Sequence, residues 1–82
     1  MKMLIGPEGY GSTLVECSEE IGENIYQYFE DFFDSDMHKG NWNENDFIKY
    51  VQREIRNNPK LYMTILEEDT KKYEGKYPKL KI

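Results

Sequence analysis

Asp34, Asp36 and His38 alternate between two helical patterns, residue types and spacing from which a divalent-cation loop could be built. The pattern stops short of an EF-hand. With Asp34 as the first ligand, Lys39 stands where the sharp-turn glycine belongs and Asn45 where the bidentate glutamate belongs. Starting at Asp36 does no better. His38, the only histidine, lies outside every recognisable nucleophile arrangement. Cys17 is the only cysteine, which excludes an intrachain disulfide and leaves no cysteine cluster for zinc. At the mouth of a helix its thiol would be acidified by the helix dipole, but Glu16, Glu19 and Glu20 oppose this, and a structural role is expected. Carboxylates are plentiful, yet acid–base catalysis needs two of them in different environments, and this run reads as uniformly exposed. The residues point to a non-catalytic chain, with no catalytic residue, cofactor or resident metal expected.

The glycines from Gly6 to Gly11 lack the Gly-Lys-Ser/Thr ending of a phosphate loop and the spacing of a dinucleotide fingerprint. Ile5-Gly6-Pro7-Glu8-Gly9 resembles a loop of the knotted SPOUT-class RNA methyltransferases. That likeness spans five residues. The fold it implies needs a longer chain and a succession of parallel strands that these 82 residues do not supply, so no activity is carried over from it.

Charge carries more information. Between Met3 and His38 there are nine acids and no Lys or Arg, whereas Lys39 to Ile82 holds seven acids and ten bases. With Lys2 the chain sums to −5. That balance argues against nonspecific binding to nucleic acid or to an anionic membrane, both of which select a basic surface. An acidic row beside aromatic rings suits a protein partner instead: rings act as hot spots and charges steer the encounter. The candidate binding residues are Glu20, Glu23, Tyr26, Glu30, Asp31, Phe33, Asp34 and Asp36.

One long amphipathic pattern positions these residues. At 100° per residue, Ile21, Ile25, Tyr28, Phe29 and Phe32 share one arc, and Glu20, Glu23, Gln27, Glu30, Asp31 and Asp34 fall opposite. This predicts a helix over 18–36, with Ser18 as N-cap and Glu19 and Glu20 well placed for the dipole. Glu30, Asp31, Asp34 and Asp36 sit at its unfavourable end, each at a cost of roughly 0.3 to 1 kcal/mol. Tyr26, Phe33 and Met37 lie off the main arc, either beneath a second helix or exposed.

A polar connector leads to a second helix start with Asn43 as N-cap, Asp46 at the third helical position and Trp42 facing Phe47 as a hydrophobic staple. Phe47, Ile48, Val51 and Ile55 form its apolar face, and Lys49, Arg53 and Arg56 the other, from which they could pair internally with the acidic helix. Asn57-Asn58-Pro59 ends it. Leu61, Tyr62, Ile65 and Leu66 keep helical spacing, while Leu61, Met63 and Ile65 also alternate as a strand would; the acids before Lys71 and Lys72 favour a third helix to about Tyr73, stopped by Gly75. Met3–Ile5 and Thr13–Val15 read as a hairpin or two extended arms, and Leu80 and Ile82 alternate in a tail able to add a strand beside them.

Thirty-eight per cent hydrophobic and 15% aromatic residues imply one small domain over 1–82 whose core is filled by rings. The expected fold is α+β, about three helices with short N- and C-terminal strands packed on one side; the alternative is an all-α three-helix bundle with extended arms. A single cysteine fits a reduced, cytoplasmic setting, and no apolar run is long enough for a signal peptide or a membrane span. The functional expectation is an acidic protein-binding module that covers a basic surface of a partner protein, a nucleic-acid-binding protein being one version. By class analogy with small acidic proteins of phages and mobile elements, it would be an inhibitor, immunity-type protein or nucleic-acid mimic. The competing expectation is a structural or assembly subunit, a homo-oligomer through Tyr26, Phe33 and Met37. Direct nucleic-acid binding through Lys49, Arg53, Arg56 and the C-terminal lysines is a third class that the net charge disfavours.

Overall fold

The computed structural model describes residues 1–82. Strands β1 (Lys2–Gly6) and β2 (Ser12–Cys17) pair antiparallel around the glycine turn, with Leu4 opposite Leu14 and Met3 opposite Val15. Gly9 takes a φ of 81°, a conformation that glycine adopts at little steric cost. Helices α1 (Glu19–Glu23), α2 (Ile25–Phe33) and α3 (Glu44–Ile55) follow, then β3 (Met63–Thr70) and β4 (Lys79–Lys81). The four strands form one mixed sheet in the order β3-β2-β1-β4, in which β4 runs parallel to β1 and β3 antiparallel to β2. The fold is α+β, and the all-α alternative is not supported.

Two expectations about the elements need correction. The helix over 18–36 is broken: Asn24, at φ −109° and ψ 19°, separates α1 from α2. Its side chain donates to the Glu20 carbonyl at 2.8 Å, a local bond of the kind by which asparagine competes with the helical ladder. The third helix does not form, and Met63–Thr70 is the longest strand of the sheet. Cys17 pairs with Met63, Glu16 with Thr64 and Val15 with Ile65, so the alternating reading of this segment wins because β2 offers an edge to pair with. The expected short strands are thus a loose fit, and the count of three helices is met by the break at Asn24.

Register then shifts twice along β3. Val15 opposes Ile65 but Leu14 opposes Glu67, and Ser12 opposes Thr70, leaving extra residues on β3. Asp69, with φ 49°, lies within the second irregularity. Bulges of this kind twist an edge strand away from unwanted pairing. Gly75 does not stop a helix; it turns, at φ 81°, within the connection to β4.

The two faces of the sheet are covered differently. Met3, Ile5, Val15, Cys17, Met63 and Leu80 join Ile21, Ile25, Phe32, Phe47, Ile48, Tyr50, Val51 and Ile55 in one cluster beneath the helices. Leu4 and Leu14 are also buried, yet alternate to the other face. The segment from Lys71 to Pro78 is tied to this face at Ser12, which donates to Glu74 at 2.9 Å. No helix is long and apolar enough to cross a membrane.

Candidate protein-binding face

Helix α2 owes its place to its apolar arc. Ile25 and Phe32 are buried, Tyr28 and Phe29 half-buried, and the rings of Phe29 and Phe32 meet Phe47 of α3 edge-on at 5.2 and 5.7 Å. The helix start expected at Asn43 forms, and it closes as a capping box. Asn43 Oδ1 accepts from the amides of Asn45 and Asp46, and Asp46 Oδ2 accepts from the Asn43 amide. The staple takes a modified form, because Trp42 and Phe47 meet through Phe29 and Phe32 instead of stacking on each other. Ser18 occupies the N-cap position of α1 without bonding its amides; its hydroxyl exchanges hydrogen bonds with the backbone of Tyr62 and ties the helix start to β3.

With the apolar arc inward, all eight candidate residues are exposed. Tyr26, Glu30 and Phe33, at positions i, i+4 and i+7, line one flank of α2. Tyr26 is 66% exposed, and Phe33, 41% exposed, leans on His38 at 4.4 Å and Trp42 at 5.5 Å. Met37 is half-buried against the core, so a second element covers that part of the flank. Glu20 and Asp31 come together on the opposite flank, where they line a groove of about 390 Å³ with Asn24, Gln27 and Tyr28. Gln27 steadies one wall by donating to Asp31 at 3.0 Å. Glu23, in the turn of helix before Tyr26, and Asp34 make no ion pair.

Asp36 departs from the expectation of an open acidic row. Arg53 donates to it at 2.9 Å, and this hydrogen bond, with the guanidinium's charge, holds the Asp36 carboxyl below its ordinary range. The same guanidinium lies 3.5 Å from Glu54 and over the Tyr50 ring at 5.5 Å. One cation therefore serves two carboxylates, because the turn after α2 brings Asp36 to the last turn of α3. Glu20, Glu23, Glu30, Asp31 and Asp34 have no cation in ion-pair contact. The remaining pairs lie elsewhere, joining Lys72 to Glu67, Lys79 to Glu74, Lys81 to Glu8 and the terminal ammonium to Glu16.

Tyr28, Tyr50 and Glu54 were not legible in the sequence as members of this region. Burial first, then the carboxylates of Glu20, Glu54 and Asp31, push the Tyr28 hydroxyl above its ordinary pKa. Tyr50 is raised likewise, by burial and then by Glu54 and Asp31. Both shifts favour the neutral phenol. Tyr50 falls beside Phe47 and Val51 on the apolar arc of α3, a signal in the spacing that could have placed it in the core.

The chemically suggestive residues of the sequence are dispersed or enclosed. Nowhere do three His, Cys, Asp or Glu side chains converge as metal ligands. The His38 ring packs against Phe32, Phe33 and Trp42. Cys17 is buried in the core, and burial raises its thiol pKa, with the Glu16 charge adding to the rise and the terminal ammonium opposing it. No protein-family model matches this chain, and comparison with curated proteins and solved structures finds no significant match.

Proposed function

We propose that this chain is a non-catalytic protein-binding module whose α1–α2 face docks on a basic surface of a partner protein. The observation that carries the reading is the five exposed carboxylates of that face, Glu20, Glu23, Glu30, Asp31 and Asp34, none of them neutralised from within. The molecule has the cations to do so. Lys2, Lys39, Lys49, Arg56, Lys60, Lys71 and Lys76 make no ion pair with these five or with any other carboxylate. Like charges gathered on one face raise its free energy, and a basic partner would relieve that repulsion on docking.

The partner class follows from the sign of the charges. A nucleic-acid-binding surface selects negative charge, which these exposed carboxylates supply. Exposed Tyr26 and Phe33 add apolar contact area that a phosphate backbone lacks. An inhibitor or immunity-type role, covering a partner's nucleic-acid site, fits this combination.

Capture from native lysate by the wild-type chain and by a variant carrying Glu23→Lys, Glu30→Lys and Asp34→Lys tests the reading. The expected result is a basic protein retained by the wild type at low salt and lost with the variant. Recovery of the same proteins by both would sink it.

A further inference from the structure

We infer that a second copy of this chain is one occupant of the acidic face, which seats in a groove at the far end of α3. The inference rests on the docking role proposed above and adds the receiving surface. That groove, of about 250 Å³, opens where α3 runs into β3. Its walls include Ile55, Pro59, Leu61 and Met63, with Arg56 and the 45%-exposed Tyr62 at its sides.

The surroundings of the groove are basic on a chain of net charge −5. Lys60 follows Pro59 in sequence, and Lys49 lies two turns before Arg56 on the same side of α3. All three cations are exposed, and none has an ion-pair partner. Arg53, one turn before the groove, is already engaged by Asp36.

The acidic face carries the complement. Tyr26 is the most exposed ring of the helical layer, and Glu23 and Glu30 flank it along the chain without a cation of their own. A tyrosine buries roughly 150 to 250 Å², mostly apolar, and keeps a hydroxyl for the wet end of a cleft. An aromatic knob between two carboxylates thus matches a groove whose lining is half apolar, with Gln52 and Asn58 as its neutral polar members, Arg56 on its wall and Lys60 next to Pro59 in sequence. Within one molecule knob and groove do not meet. Because they are different patches, the contact is head-to-tail, and it repeats from copy to copy unless its rotation closes a ring. A basic partner that takes the acidic face would release the neighbouring copy.

Sedimentation velocity on the full chain tests this, from about 10 to 500 µM, in about 50 mM and about 500 mM salt. The expected result is concentration-dependent association at low salt, at least tenfold weaker at high salt. Two variants, one with Glu23→Lys and Glu30→Lys, the other with Arg56→Ala and Lys60→Ala, should each be monomeric alone. Mixed in equal amounts they should form a one-to-one dimer that does not grow, since each retains the half that the other lost. The dimer also shows that both variants are folded. A wild type that stays monomeric, a groove variant that still self-associates, or a mixture that fails to pair overturns the inference. Lysate capture is read separately: its loss with the acidic-face variant but not with the groove variant upholds the docking role even where self-association fails.

Discussion

Helices α2 and α3 pack on each other through the same aromatic rings, yet they are built on opposite electrostatic principles. Helix α3 is consistent at every level: a capping box at Asn43, Glu44 and Asp46 in its first turn, and Arg53 in its last. Helix α2 has no side-chain cap, no acid in its first turn and no base in its last, where Glu30 and Asp31 face the negative end of its dipole. What holds α2 is tertiary burial of Ile25 and Phe32, with Phe29 and Tyr28 at the margins. The difference teaches that α3 is specified by its own residues, whereas α2 is a scaffold that tolerates charges unfavourable to it. Local inconsistency maintained by a packed core is where a binding surface is to be sought.

The comparison is broken most directly at the shared rings. Phe32→Ala removes a fully buried ring from between the helices and should cost about 3 to 5 kcal/mol, lowering the melting midpoint by roughly 12 °C or more. A shift of only a few degrees in a thermal melt would mean that α2 does not depend on this burial. The same substitution at the two N-cap asparagines sharpens the contrast. Asn43→Ala should cost about 1 kcal/mol in urea unfolding. Asn24→Ala removes one exposed bond to the Glu20 carbonyl and none to the amides of α2, and should stay within about 0.5 kcal/mol. Equal losses would show that the caps do not distinguish the helices.

A smaller effect of opposite sign is expected at the end of α2. Asp34→Lys replaces an exposed anion at the C-cap with a cation and should stabilise the fold by about 0.3 to 1 kcal/mol, an effect that fades as salt is raised. A destabilised variant would mean that Asp34 has a structural role. The smallest effect concerns Asp36. Because Arg53 holds its folded-state pKa below the ordinary 3.8, the pair stabilises the fold above that value and loses this contribution as pH falls through the lowered one. The difference in midpoint between wild type and Asp36→Asn should therefore shrink below pH 3.8. It should also shrink with salt, since both groups are exposed to screening. A difference independent of pH would remove the ion pair from the account.

Much of this was legible in the residues. The helix start at Asn43, the apolar arcs of α2 and α3, the hairpin and the added C-terminal strand follow from spacing over a few neighbours. Glu20, Glu23, Glu30, Asp31 and Asp34 face outward because their arc opposes Ile25 and Phe32, and that too is a local property. Three features were not. Leu61 to Leu66 satisfied both periods, and the choice fell to β2, more than forty residues earlier in the chain. The break at Asn24 turns on one side-chain bond that a helical average conceals. The pairing of Asp36 with Arg53 joins residues 17 apart across a turn whose path no local pattern encodes.

The chain's own order of residues thus determined an acidic layer on an amphipathic scaffold, because charge balance and 3.6-residue periodicity act between near neighbours. Only the tertiary structure decided which anion would be neutralised, which would line a groove beside Tyr28, and which cations would be left without a partner at the end of α3. Those outcomes depend on distances between segments far apart in sequence. Such distances are set when the helices settle on the sheet, and no window of neighbouring residues contains them.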